Sequence, residues 1–209
     1  MPENEPRELE LKYHLAGKTD YELLLEDCPP APGCVSARQE NYYFDSPGYE
    51  IALQGGMLRL RFDGKLRLCF KLGREKPGHP GYFDALEVEE DLEPEFLQKA
   101  LEAPQELARL ELHPIKVLWR HFKPLVLVKI GDLTTDRRYR MIDDFLLELD
   151  EVTYPDGGVT HEVEIETLFP EKARQALLSR FNKLGIDARP QRKSKLQGLL
   201  KRQGVDLLN

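Results

Sequence analysis

The stretch Arg7-Glu8-Leu9-Glu10-Leu11-Lys12-Tyr13 alternates charged and apolar residues without a break. That is the period of a half-buried β-strand, so Glu8, Glu10 and Lys12 share one face while Leu9, Leu11 and Tyr13 share the other. One such strand would simply show its charges to water. The pattern recurs, however, in residues 57–62, 65–72, 86–89, 145–152 and 159–167, with bases on some segments and acids on others. A sheet with that many charged faces cannot pack them against hydrocarbon. It can curl around a charged interior and turn its apolar faces outward beneath helices, which predicts an α+β fold built on a β-barrel with a polar lumen.

The 209 residues and the 41% apolar fraction suffice for one globular domain over 1–209, despite 32% charged residues. A net charge of -7 gives no general reason to expect nucleic acid or an anionic membrane as partner. No apolar run reaches the ~20 residues of a membrane span, and the Glu- and Pro-rich N-terminus has no signal-peptide core, so a cytoplasmic protein is expected. Cys28, Cys34 and Cys69 are a scattered, odd set that suits reduced thiols. No GxxxxGK[ST] run is present, which excludes a P-loop.

Residues 57–72 carry the clearest hairpin. Met57, Arg59 and Arg61 alternate with Leu58, Leu60 and Phe62; Lys65, Arg67, Cys69 and Lys71 alternate with Leu66, Leu68, Phe70 and Leu72. Opposed residues of an antiparallel pair share a face, so a two-residue Asp63-Gly64 turn would set Arg61 against Leu66 and scramble both faces. A three-residue loop over 62–64 pairs Arg61 with Lys65 and Arg59 with Arg67. Like charges stacked this way repel unless an anion neutralises them, a first hint of anion binding.

Elsewhere, 17–26 reads as a short helix and 41–45 as a strand ending at the Ser46-Pro47-Gly48 turn. Pro94 and Pro104 open two short helices. Residues 119–130 and 134–141 read as strands, the latter carrying Arg138 and Arg140 on one face. A turn at 154–158, an amphipathic helix over 170–184 ended by Gly185, and a basic helix over 192–202 complete the chain.

In this order the motifs resemble the CYTH superfamily, the triphosphate tunnel metalloenzymes. The resemblance rests on an ExExK strand (Glu8, Glu10, Lys12), a YYDTP-like segment (Tyr42-Tyr43-Phe44-Asp45-Ser46-Pro47, one residue longer), and an LRxR strand (Leu58, Arg59, Arg61). It continues with Lys71, Glu87 and Glu89, Arg120, Glu148 and Asp150, Glu162 and Glu164, and a terminal Ser194-Lys195. It spans about residues 8–196. Leu196 replaces the family's usual Tyr, and the stretch between Arg120 and Glu148 is long, which leaves Arg138 and Arg140 open.

The resemblance implies a closed antiparallel barrel of eight strands whose lumen binds a triphosphate and Mg²⁺ or Mn²⁺. Arg59, Arg61, Lys71 and Arg120, with Glu87 beside them, are then the expected substrate contacts, since Arg offers forked donors to phosphate oxygens and Lys a point charge. Glu8, Glu10, Glu148, Asp150, Glu162 and Glu164 are the expected metal ligands, hard oxygens that suit such ions. Glu10, Lys12 and Lys195 form the expected catalytic group, the lysines stabilising the leaving or transferred phosphate. The same acids and bases could instead pair with one another inside the barrel. Hydrolysis of a triphosphate, foremost inorganic tripolyphosphate, is the favoured activity. A class IV adenylate cyclase and a non-catalytic polyphosphate-binding module are the alternatives. The expected partner is a small anionic triphosphate, without nucleic acid or membrane; a homodimer is compatible with the sequence.

Overall fold

The computed structural model describes residues 6–207. Its strands are β1 (Arg7–Leu15), β2 (Ala37–Asp45), β3 (Gly56–Phe62), β4 (Leu66–Glu75), β5 (Tyr82–Leu92), β6 (Val128–Ile142), β7 (Phe145–Thr153), β8 (Val159–Glu166) and β9 (Ala188–Pro190). They hydrogen-bond in the order β5-β4-β3-β2-β6-β7-β8-β1, and β1 pairs back onto β5, closing an eight-stranded antiparallel barrel. Short β9 joins the same edge of β1 beyond the point where β5 ends, at Tyr13 to Leu15.

The alternation places the side chains as its period requires. Lys12 lies opposite Glu164, Glu10 opposite Glu166 and Lys71 opposite Glu87, all pointing inward. Leu11, Tyr13, Leu149, Val163 and Ile165 point outward, where α1 (Lys18–Asp27) and α5 (Pro170–Leu184) cover them with Leu24, Leu177 and Phe181. On another flank, α3 (Phe96–Glu102), a 3₁₀ turn (Pro104–Arg109) and α4 (His113–His121) bury Leu58, Leu60, Leu68, Phe70 and Val88. Each such fully buried leucine or phenylalanine contributes about 1.5–3 kcal/mol. The hydrocarbon core therefore lies mainly outside the barrel wall.

One apolar cluster breaks that rule. Tyr43 shares the face of Arg59, and Leu133 that of Asn41, so both point into the lumen. There they meet Leu196, Leu199 and Leu200 of α6 (Lys195–Arg202), which closes part of the upper end of the barrel. The lumen is thus polar below and apolar under this helix. A capping box at Ser194 and Gln197 starts α6 at Lys195, so residues 192–194 of the expected helix lie outside it.

Two other expectations are corrected. The β3–β4 loop is three residues long but covers Asp63, Gly64 and Lys65: Phe62 pairs with Leu66, Arg61 with Arg67 and Arg59 with Cys69. Asp63 accepts a hydrogen bond from Arg67, and Gly64 supplies a φ of 100°. The two-residue change of register keeps every face as expected, but only Arg61 and Arg67 now stack as like charges. Residues 119–127 do not form a strand, and only 128–130 of the expected one are extended, as the start of β6. Pro114 opens α4, whose buried Ile115 and Leu118 make the stripe of a helix.

Candidate functional site

A cavity of about 310 Å³ opens beside α6 and runs into the lumen. It is lined by Glu8, Glu10 and Lys12 of β1, Arg59 and Arg61 of β3, Lys71 of β4, Glu87 of β5, Arg137 of β6, Glu148 of β7, Glu164 of β8 and Lys195 of α6. Asp150 and Glu162 stand behind it, at 0% and 2% exposure. Apart from Arg120, the expected site residues therefore converge.

Arg120 does not. It is exposed on α4, outside the barrel, because its segment is helical. The lumen cation that sequence reasoning missed is Arg137. Its Nε donates to Asp150 Oδ1 at 2.7 Å, its Nη2 to Asp150 Oδ2 at 2.6 Å and Glu164 Oε2 at 2.8 Å, and its Nη1 to Glu148. A signal for it existed. A two-residue Asp143-Asp144 turn, with Asp143 at a φ of 50°, pairs Ile142 with Phe145 and so sets Arg137 opposite Asp150. The same register turns Arg138 and Arg140 outward, Arg140 onto the Leu25 carbonyl of α1.

The lysines bridge the acids. Lys195 Nζ lies 2.5 Å from Glu164, 2.9 Å from Asp150 and 3.3 Å from Glu162. Lys12 Nζ sits 2.9 Å from Glu164 and 3.0 Å from Glu10, above the Phe83 ring. Lys71 reaches Glu87 at 2.8 Å and also pairs with Glu8. Arg59 is 3.8 Å from Glu87.

These contacts do not neutralise every acid. Burial, a hydrogen bond with Glu87 and repulsion from Glu10 push the Glu8 carboxyl up to about 8. Burial and Glu164 raise Glu10, and burial raises Glu148 to about 6. Burial also opposes the charge of Glu87 and Glu164, but their neighbours outweigh it and both stay well below the usual range. Glu8 thus favours its protonated form against Glu87, and Glu10 is shifted the same way against Glu164. On unfolding, Glu8 and Glu148 return to ordinary carboxyl values, so the folded state binds more protons above about pH 4.5. Stability in chelator is therefore expected to fall from about pH 5 to pH 8, and excess Mg²⁺ or Mn²⁺ to flatten that fall. A flat melting temperature across this range in chelator would contradict it.

Arg61 is the opposite case. Its Nε donates to the neutral Asn41 amide at 3.1 Å, and burial, Arg59 and Arg137 push its guanidinium down to about 10. A cation so placed costs stability and awaits an anion. Arg61→Ala is expected to weaken tripolyphosphate binding by roughly 10–100-fold, the worth of a charge-assisted phosphate contact of ~1.5–3 kcal/mol, with an unchanged or higher melting temperature. Arg59, paired with Glu87, should not share that gain. Calorimetric titration and thermal melts of both variants check this; a large drop in melting temperature for Arg61→Ala refutes it.

The lumen suits a divalent cation in donor type and charge. Glu8, Glu10 and Glu148 are surplus hard-oxygen donors, and Glu10 Oε2, although near Lys12, accepts no hydrogen bond. Among the described residues no three such side chains are already arranged around one point, because each leans on a lysine or arginine. A cation held by Glu8, Glu10 and Glu148 would therefore take the place of ion pairs that these acids make now.

Fold and site together define a closed barrel protein whose lumen gathers buried acids and bases. The chain belongs to the CYTH domain family, which matches residues 6–192. Among solved structures it is similar to a putative adenylyl cyclase from Hippeastrum, described as revealing a dominant triphosphatase activity, at 24% identity and a TM-score of 0.80 over 95% of this chain and 96% of that one. A putative adenylate cyclase from Bacillus halodurans is similar at 23% identity and a TM-score of 0.70 over 92% and 97%. The PH1819 protein from Pyrococcus horikoshii is similar at 19% and 0.59 over 93% and 99%. A search of curated proteins finds no match.

Proposed function

We propose that this protein hydrolyses the terminal phosphoanhydride of a triphosphate, foremost inorganic tripolyphosphate, with a divalent cation. The carrying observation is the pairing, within one lumen, of an under-neutralised cation at Arg61 with acids at Glu8, Glu10 and Glu148 whose ionisation burial opposes. The activity described for the Hippeastrum relative supports the same reading. Arg59, Arg61 and Lys71 bind phosphate oxygens along one wall. Lys12 and Lys195 hold positive charge where the transferred phosphate and its leaving group separate. Glu8, Glu10 and Glu148 would hold Mg²⁺ or Mn²⁺, which supplies charge neutralisation to the phosphate chain. Glu10, as an anion, can take the proton of the water that forms the new P–O bond as the anhydride P–O bond breaks.

In the thiamine triphosphatases of the family, the position two before the first Arg of the LRxR strand carries a stacking Trp; here it is Met57, half-buried in the cavity wall. Ring stacking on an aromatic is worth about 1–3 kcal/mol, or roughly five- to 150-fold, and a thioether offers no rigid π surface. Phe83 also lines the cavity, with Lys12 over its ring. Tripolyphosphate is thus expected to be hydrolysed with a kcat/KM at least equal to that of thiamine triphosphate. A panel of phosphate release and cyclic AMP formation over tripolyphosphate, ATP, GTP and thiamine triphosphate, with Mg²⁺ or Mn²⁺, checks this. A tenfold preference for thiamine triphosphate removes the tripolyphosphatase assignment; cyclic AMP from ATP establishes the cyclase reading instead.

A further inference from the structure

The barrel wall has a second opening at the end opposite α6. The β7–β8 ladder ends at Glu148 opposite Glu164, although β7 begins at Phe145 and β8 runs on to Glu166. The pairing of β8 with β1, by contrast, continues to Glu10 opposite Glu166. The two strands therefore part at this rim, where a cavity of about 340 Å³ is lined by Leu146, Leu168, Glu166 and Glu148, with Arg7 and Leu9 of β1. Glu148 lines the main cavity too.

The two openings differ in charge. The one beside α6 carries Arg74 and Arg192 against Glu75, with the lumen cations behind them. At the rim opening Arg7 is tied to Asp84 and Glu148 to Arg137, which leaves Glu166 to set the sign. Just inside, on the same face as Glu166, lies Glu10, 4% exposed, whose Oε2 accepts no hydrogen bond. A triphosphate is repelled from such a rim and a divalent cation is drawn to it.

We propose that the gap between β7 and β8 is the port by which the divalent cation reaches the lumen carboxylates, while the anionic substrate uses the opening beside α6. The proposal rests on the metal-dependent reading above. It explains how a cation gains the carboxylates with the substrate already blocking the other opening. Leu146, 37% exposed, and Leu168, 75% exposed, are the gate; Glu166 is the steering charge.

The test uses the whole protein and Mn²⁺ alone. Uptake and release are followed by stopped flow against a fluorescent Mn²⁺ indicator, and affinity by the electron paramagnetic resonance signal of free Mn²⁺. Leu146→Trp narrows the port and is expected to slow association and dissociation together, about tenfold each, with Kd unchanged. That pairing of effects marks a gate and would not follow from a lost ligand. Glu166→Lys, an exposed change that should not disturb folding, is expected to slow association by about tenfold at low ionic strength, with the difference shrinking at high salt. Arg192→Glu at the other opening is expected to leave Mn²⁺ rates unaltered. If both rim variants take up Mn²⁺ at the wild-type rate, the port is overturned while the function stands. If the wild-type protein binds no Mn²⁺, the metal-dependent reading falls and the port with it.

Discussion

Glu10→Gln is expected to lower divalent-ion-dependent phosphate release by about 10²–10³-fold, the scale for removing one preorganised charge-stabilising group, while the metal-free protein melts within a degree or two of wild type. The reason is that burial and repulsion from Glu164 oppose a charge on the Glu10 carboxyl without metal. Glutamine removes a charge that the buried site opposes, and Lys12 and Lys71 keep Glu164 and Glu87 as partners, so the barrel loses little. What it loses is the anionic oxygen that cation loading exposes. Glu164→Gln provides the contrast. Glu164 is an anion held by Lys12, Lys195 and Arg137, so its neutralisation leaves three cations crowded and should destabilise the fold as well as the activity. Steady-state phosphate release and thermal melts in chelator separate the two cases. Wild-type activity in Glu10→Gln, or an equal loss of stability in both variants, defeats the assignment.

The second large effect is structural. Arg137→Ala removes the guanidinium that joins Asp150, Glu164 and Glu148, and leaves Asp150, at 0% exposure, without its two-pronged partner and with the ion pair to Lys195. Breaking a buried ion network from one side costs about 3–5 kcal/mol, which for a chain of this size is roughly 6–20 °C in melting temperature. Arg137→Lys should recover little, because a point charge cannot make the two-pronged contact with Asp150. A metal-free Arg137→Ala protein melting within 2 °C of wild type would show that the carboxylates re-pair with Lys195 and Lys12.

These expectations separate two kinds of lumen cation that the sequence presents alike. Arg59 and Arg61 sit two apart on one strand, yet Arg59 faces Glu87 and Arg61 faces an amide. Their difference depends on which residues lie across the barrel, and no local pattern contains that. Arg120 and Arg137 show the same limit. The apolar run around Val117 and Trp119 suits either period over so few residues, and the packing of Ile115 and Leu118 on the barrel flank settles it as helix.

Strand faces were readable because their period is two and depends only on neighbours along the chain. Glu8, Glu10, Lys12, Arg59, Arg61, Lys71, Glu87, Glu148 and Glu164 all face the cavity as the alternation implied. Even the misplaced β3–β4 loop kept them there, since a change of register by two residues preserves parity. Which strands meet to close the barrel, β1 and β5, was beyond reach of that local rule, and so was which of the crowded acids are raised. Crowded buried carboxylates raise one another, but only the tertiary structure decides which: burial and a second carboxylate push Glu8 and Glu10 up despite their lysines, while their neighbours hold Glu87 and Glu164 down. Long-range pairing fixes which charges meet, and the low dielectric of the closed barrel fixes which of them stay charged.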